Sequence, residues 1–214
     1  MITSAILKQI CPSLNEARAE LSSAELIKCF TKYGIVNINS QHHFIAQVCH
    51  ESGEFSIKSE NMNYSRPALL MANWPKHFPS LDFAQQYCHN PEKLANYIYG
   101  VTSIAKDLGN RKPSDGYEFR GAGYLQLTGF DSAERYRIYA KLDTAEHAAD
   151  LLRSDDHYAM DAAGWEFIVS KNLLQISLQD TPEAFLTITK RINGGTIGLE
   201  SRQLYYNKCK QYLK

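Results

Sequence analysis

The stretch SQHHFIAQVCHESGEF, residues 40–55, carries the helical period on which the reading of this chain turns. Taken as a helix starting near Asn39 or Ser40, its i, i+4, i+7, i+11 row runs Phe44, Val48, Glu51, Phe55. Three of those positions are apolar and one is a carboxylate. Burial penalises a lone carboxylate, so Glu51 there needs either a proton or a partner. Such a carboxyl suits a general acid, whereas a helix cut short at Gly53 would leave it merely solvated at a wet C-terminus.

Two more glutamates follow. Glu54 lies on a neighbouring face and reads as a surface residue whose like charge acts on Glu51 only if the two are close. Glu60 comes about two and a half helical turns after Glu51, so in an unbroken helix it would point the opposite way. Gly53 and the segment SIKSEN, residues 56–61, offer a break. If the chain leaves the helix after Phe55, Glu60 can return on a loop to face Glu51. Two carboxyls about 6.5 to 9.5 Å apart, with a water between them, are the arrangement of inverting glycoside hydrolysis.

The bulk composition narrows the alternatives. With 214 residues the chain can bury a sizeable core, and a single domain over 1–214, in two lobes, is expected. Lys plus Arg and Asp plus Glu both count 23, so no global basic field points to nucleic acid. Cys11, Cys29, Cys49, Cys88 and Cys209 are odd in number and form no C-x-x-C pair, and they read as reduced, mostly buried thiols. The N-terminus lacks a long apolar h-region and no segment reaches membrane-spanning length, which predicts a soluble chain made in the cytoplasm.

Helix punctuation is frequent. In SSAELIKCFTKYG, residues 22–34, Ser22 with Glu25 reads as a capping box and Gly34 as a stop. In NPEKLANYIYG, residues 90–100, Asn90 is a cap and Pro91 the first helical residue. Further helices are expected over 132–141, 145–152, 156–171, 182–192 and 199–213, with Thr181 and Pro182 opening the fourth of these. Strand signal is confined to GYEFRGAGYLQLTG, residues 116–129, which reads as a small hairpin. On it Tyr124, Gln126 and Thr128 share one face: an aromatic surface for a sugar ring, an amide, and a hydroxyl able to hold a water. An edge hairpin with one wet face would look the same.

Together these segments resemble the lysozyme-like branch of glycoside hydrolase family 19, the chitinases and their phage endolysin relatives. FIAQVCHESGEF is similar to the family's helix bearing the first catalytic glutamate, and SENMNYS to the endolysin segment bearing the second. YEFRGAGYLQLTGFDSAERY resembles the Y-R-G-R-G-x-I-Q-L-T-G signature, and AGWEFIVSKNLL and ITKRINGGTIGLESRQLYY resemble the C-terminal helices and the I-N-G-G loop. The resemblance implies a mainly α, lysozyme-like fold with a small β-hairpin beside a substrate cleft. It implies Glu51 as general acid, Glu60 as the base that activates water, and Thr128 as the residue that helps hold that water. Gln126 and Asn193 would bind substrate; Tyr124, Tyr64 and His50 complete the candidate binding set. The implied substrate is a β-1,4-linked amino sugar polymer, peptidoglycan or chitin, cut without cofactor or metal by a monomer. An endolysin would wait in the cytoplasm until a holin-type membrane partner releases it to the cell wall. Two departures stand out: Glu54 replaces the second glycine of H-E-S-G-G-F, and Ala122 the arginine of G-R-G.

Two rival readings remain. His50 and Glu51 begin an H-E-x-x-H zinc motif, but position 54 is Glu, and the adjacent His42 and His43 read as capping or surface residues. A non-catalytic sugar-binding module would use Tyr64, Trp74 and Tyr124 as its platform. The basic tail SRQLYYNKCKQYLK, with Arg202, Lys208, Lys210 and Lys214, reads as a docked terminal helix with a wet lysine face or as a contact for an anionic envelope.

Overall fold

The computed structural model describes residues 1–214, and it is mainly helical. Helix α1 (Ser4–Ile10) is capped by Thr3, and α2 (Glu16–Tyr33) by Asn15, whose side chain accepts from the Arg18 N–H at 2.9 Å. The expected start of α2 at Ser22 is therefore corrected. The residues before Ser22 continue the helix, Ser22 is buried in its middle, and Glu25 pairs with Lys28 and His157 at 2.7 and 2.8 Å instead of capping. Gly34 ends α2 in the left-handed region, as expected. Helix α3 (Ile38–Glu51) follows, capped by Asn37.

The middle of the chain forms α4 (Pro67–Asn73), α5 (Leu81–Gln85), α6 (Pro91–Gly100), α7 (Ser103–Asp107), α8 (Asp115–Glu118), α9 (Phe130–Ala140) and α10 (Ala145–Ser154). Asn90 caps α6 with Pro91 in its first turn, as its sequence requires. Then come α11 (Asp156–Trp165), which runs on as a π-helical turn over Glu166–Ser170, and α12 (Leu174–Ser177), α13 (Pro182–Asn193) and α14 (Leu199–Tyr212). Thr181 caps α13.

The hairpin expected over 116–129 does not form. Residues Asp115–Glu118 are helical, and the only pairing is a pair of isolated bridges, Ala122 with Leu127 and Ser59 with Ala122. Gly123 at φ 78° and Gln126 at φ 52° close a four-residue turn between the bridged positions, and left-handed backbone cannot propagate a strand.

Contacts divide the chain into two compact units. The first holds 1–58, 123–126 and 154–214; the second holds 59–122 and 127–153. In the first, α3 packs on α12, α13 and α14, and α2 packs on α1 and α11. Phe44 sits at its centre, edge-on to Phe30 at 5.7 Å and to Phe167 at 5.4 Å. In the second, Phe78 gathers Trp74, Phe83, Tyr87 and Tyr97 beside the buried Leu70, Leu94 and Ile98 of α4 and α6. A smaller cluster joins Phe119 and Phe130 to the alanines of α9 and α10. Four of the five thiols are buried, and Cys88 is half-buried. No helix is long and apolar enough to cross a membrane.

His42 and His43 are buried on α3, which corrects their reading as capping or surface residues. Their partners explain the burial: the Nε2 atoms lie 2.9 Å from the carbonyls of Leu213 and Gln179, and the ring of His43 packs against Phe185 and Tyr206. A carbonyl only accepts, so each Nε2 carries the proton, and each Nδ1 is left buried without a partner. Burial pushes both imidazoles below their ordinary value of 6.5, against the smaller opposing effect of those carbonyls. Protonation therefore favours the unfolded chain: the contribution is full above about pH 6.5 and is lost as pH falls toward the lower folded values. We expect the melting temperature to drop on acidification from pH 7 to 5 and the drop to shrink in His43→Gln, whose amide can still donate to Gln179. Calorimetry across that range checks it.

Candidate active site

Glu51 ends α3, one turn after Gln47 on the same face. Opposite them on α14 lies Arg202, a fully buried guanidinium. Its Nη1 donates to Gln47 Oε1 at 2.6 Å and its Nη2 makes a short ion pair with Glu51 Oε1. Gln47 in turn donates to Thr189 Oγ1 of α13 at 3.1 Å. The carboxylate on the apolar stripe thus has a partner, and the reading of a frayed, merely solvated Glu51 is set aside. Its side chain keeps 20 % exposure, with Oε2 outside the ion pair.

Beyond Glu51 the backbone turns left-handed over three successive residues, Gly53, Glu54 and Phe55, at φ 54°, 58° and 60°. Such backbone costs an L-residue about 1 to 2 kcal/mol, so it persists only where side-chain contacts hold it. Glu54 supplies two anchors: Oε2 accepts from Ser13 N at 2.9 Å and from the Ser13 hydroxyl, and Oε1 from the Tyr205 hydroxyl at 2.8 Å. Its carboxylate is committed to Ser13 and Tyr205, which gives it a structural role. Arg18 adds a third anchor by donating to the Phe55 carbonyl, with Nε at 2.8 Å.

Arg18 also belongs to the network that fixes the turn 123–126. Asp156 accepts from Arg18 at 2.6 Å and from the Tyr124 hydroxyl, and pairs with Lys58 at 3.1 Å. Burial alone would raise the Asp156 carboxyl, but hydrogen bonds from Arg18, Tyr124 and Lys58 outweigh it and hold it at about 2. Tyr124 is 1 % exposed, with its ring edge-on to Phe55 at 5.7 Å. That corrects its reading as a sugar platform, since stacking needs an open ring face. Gln126 is half-buried, and its amide bonds the Gly123 carbonyl at 2.8 Å. With no strand there, Tyr124, Gln126 and Thr128 share no period-2 face.

Elsewhere in the first unit, His50 places Nδ1 3.0 Å from Ser201 Oγ. Its ring fills the space beside Gly198, where a Cβ would come within 2.3 Å of Nε2. Burial, then the charge of Arg202, push its imidazole down, with Glu51 opposing. Asn193 ends α13 and folds its amide over its own loop to the Ile197 carbonyl at 3.3 Å.

In the second unit, Glu60 bridges onto the Gly121 backbone. Its N–H donates to the Gly121 carbonyl at 2.8 Å, and the Gly121 N–H returns to Oε2 at 3.0 Å. The Tyr99 hydroxyl donates to Oε1 at 2.8 Å. Tyr64 is half-buried against Trp74, and its hydroxyl accepts from Asn73 at 3.2 Å. Thr128 lines a cavity of about 330 Å³ together with Asp107, Leu108, Asp131, Ser132, Glu134 and Arg135. No group of three or more His, Cys, Asp or Glu side chains is arranged to hold a metal ion.

The chain matches no family model. A Haemophilus influenzae protein described as a glycosyl hydrolase family 19 domain-containing protein is 32 % identical over 214 residues, covering 99 % of this chain and 94 % of that one. The chain belongs to glycosyl hydrolase family 19. Solved structures agree in fold: Streptomyces griseus chitinase C, at 16 % identity, gives a TM-score of 0.60, and a chitinase C mutant gives 0.56, each covering 99 % of this chain and 76 % of the other. The family 19 chain is a chitinase-like glycoside hydrolase of mainly α fold. In this family 19 member, Glu54 occupies left-handed backbone that the glycine of the family pattern would adopt freely, and its bonds to Ser13 and Tyr205 offset that strain. Ala122, which stands where that pattern has arginine, is buried between its two bridges.

Sequence reasoning passed over Gln47 and Tyr99 and placed Arg202 in a basic tail, a reading its full burial corrects. A signal for Arg202 existed: the row Leu199, Arg202, Tyr206, Cys209, Leu213 repeats at helical spacing, so one cation lies on an apolar stripe just as Glu51 does. Removing one partner of a buried ion pair costs about 3 to 5 kcal/mol. We expect Arg202→Ala to lower the melting temperature by roughly 10 °C. Arg202→Lys should recover little of this, because one ammonium lacks the fork that serves Gln47 and Glu51 together. Melting curves of the two variants decide.

Proposed function

We propose that this family 19 hydrolase cuts the β-1,4-linked glycan strand of peptidoglycan by inverting acid and base catalysis, in the manner of an endolysin. The observation that carries the reading is the pairing of Glu51 with Arg202, which presents one carboxyl oxygen in a fixed orientation and leaves the other for proton transfer. In the proposed reaction Glu51 protonates the leaving oxygen. Glu60 takes a proton from the attacking water, and Thr128 helps to hold that water. Gln126, Asn193, Tyr64 and His50 make up the proposed sugar-binding set.

The peptidoglycan assignment rests on the endolysin-like segment SENMNYS. In that role the enzyme works as a single-domain monomer without a cofactor, stays in the cytoplasm of the producing cell, and reaches the wall after a holin-type membrane protein opens the way. Chitin oligomers are the second substrate class, favoured by the chitinase C structures that share the fold.

Digestion of purified peptidoglycan and, separately, of chitin tests the choice, with the new reducing-end sugar identified by mass spectrometry. We expect muropeptide fragments with a new amino-sugar reducing end from peptidoglycan. Products from chitin alone would overturn the endolysin reading. Glu51→Gln keeps the shape and an acceptor for Arg202 while removing the proton, so its rate should fall at least about a hundredfold. A near wild-type rate would remove Glu51 from the mechanism.

A further inference from the structure

Glu60 is held more closely than a surface carboxylate needs to be. Within its unit, the groups that face it are the Tyr99 hydroxyl, the Gly121 N–H, the Tyr64 phenol and the Arg120 guanidinium. Only the first two donate to it. Arg120 is turned away, stacked over the Tyr117 ring at 4.0 Å with Nη1 bonded to the Tyr117 carbonyl at 2.7 Å. Tyr64 has its hydroxyl engaged by Asn73.

Tyr99 is itself fixed in place. It lies in the last turn of α6, beside the buried Ile98, and its carbonyl accepts from Asn110 Nδ2 at 2.8 Å. The other end of the Asn110 amide accepts from the N–H of Phe130 at 2.8 Å, which ties this point of α6 to the start of α9. Burial, then the neighbouring Glu60 charge, push the Tyr99 phenol well above its ordinary value, so it remains a donor throughout the working range.

We infer that Tyr99 is a positioning residue for Glu60: with the Gly121 N–H it clamps both carboxylate oxygens into one orientation. Each oxygen keeps lone-pair capacity beyond the donor it already has, which is where an attacking water would bind. The inference rests on the reading of Glu60 as general base. A hydrogen bond to a fixed donor is directional, so losing the phenol should loosen the aim of the carboxylate.

The test is Tyr99→Phe, which removes one hydroxyl and keeps the ring against its neighbours. We expect kcat to fall about tenfold with KM within about twofold. A phenylalanine that merely loosened the fold would lower the melting temperature and leave kcat unchanged at temperatures well below it. The carbon-13 signal of the Glu60 carboxyl, recorded by NMR without substrate, reads the loss of the hydrogen bond and should change position in the variant. Wild-type kcat with an unmoved carboxyl signal overturns the inference. Glu60→Gln separates the two claims. If it is inactive while Tyr99→Phe behaves as wild type, only the inference fails. If it keeps full activity, the base assignment fails, and the carboxyl signal still decides whether Tyr99 holds Glu60.

Discussion

A guanidinium cannot shed its charge, so burying one in the first unit obliges the surrounding helices to supply acceptors. Arg202 finds them on one face of α3, in Gln47 and Glu51, while Gln47 reaches on to Thr189 of α13. Three helices are thereby held in register by one polar chain inside an apolar core. The orientation of Glu51 follows from that packing. A carboxylate that would be mobile on a surface is held at the edge of the core, and its other oxygen is aimed by the same contacts that hold α14 on α3.

The chain after Glu51 obeys a second constraint. To leave α3 it passes through three left-handed residues, and the two that are not glycine are tied down by partners distant in sequence. Glu54 is tied to Ser13 and Tyr205, the Phe55 carbonyl to Arg18, and Lys58 to Asp156. The three glutamates of the segment 51–60 therefore divide the work. Glu51 completes an ion pair in the first unit, Glu54 braces the turn, and Glu60 belongs to the second unit under Tyr99 and Gly121. An acidic side chain that substitutes for a family glycine here gives structural support to the turn.

Much of this was legible in the sequence for simple physical reasons. Caps at Asn90 and Thr181, the stop at Gly34 and the apolar row through Phe44 depend on residues within a few positions of one another, and those came through. The long-range partners did not. Nothing near Glu51 names Arg202, 151 positions away, and nothing near Glu60 names Tyr99. The hairpin was misread because alternation over Tyr124 to Thr128 imitates a strand, while the left-handed Gln126 that breaks it carries no glycine to announce it. Ser22 and Glu25 imitate a capping box inside a helix that Asn15 had already begun. His42 and His43 look polar in the sequence, yet carbonyls contributed by Leu213 and Gln179 make them core residues.

Arg202 and Tyr99 give the two carboxylates of the proposed mechanism different surroundings: one is held by a permanent cation, the other by neutral donors. In the proposed division Glu51 delivers a proton to the leaving group and Glu60 receives one from water. The configuration of the first sugar released reports on this division directly. Proton NMR of the earliest products from a soluble β-1,4 amino-sugar oligomer, recorded before mutarotation, should show the α-anomer at the new reducing end. A β-anomer as the first product would mean retention, and would contradict the account of Glu60 as a base acting through water.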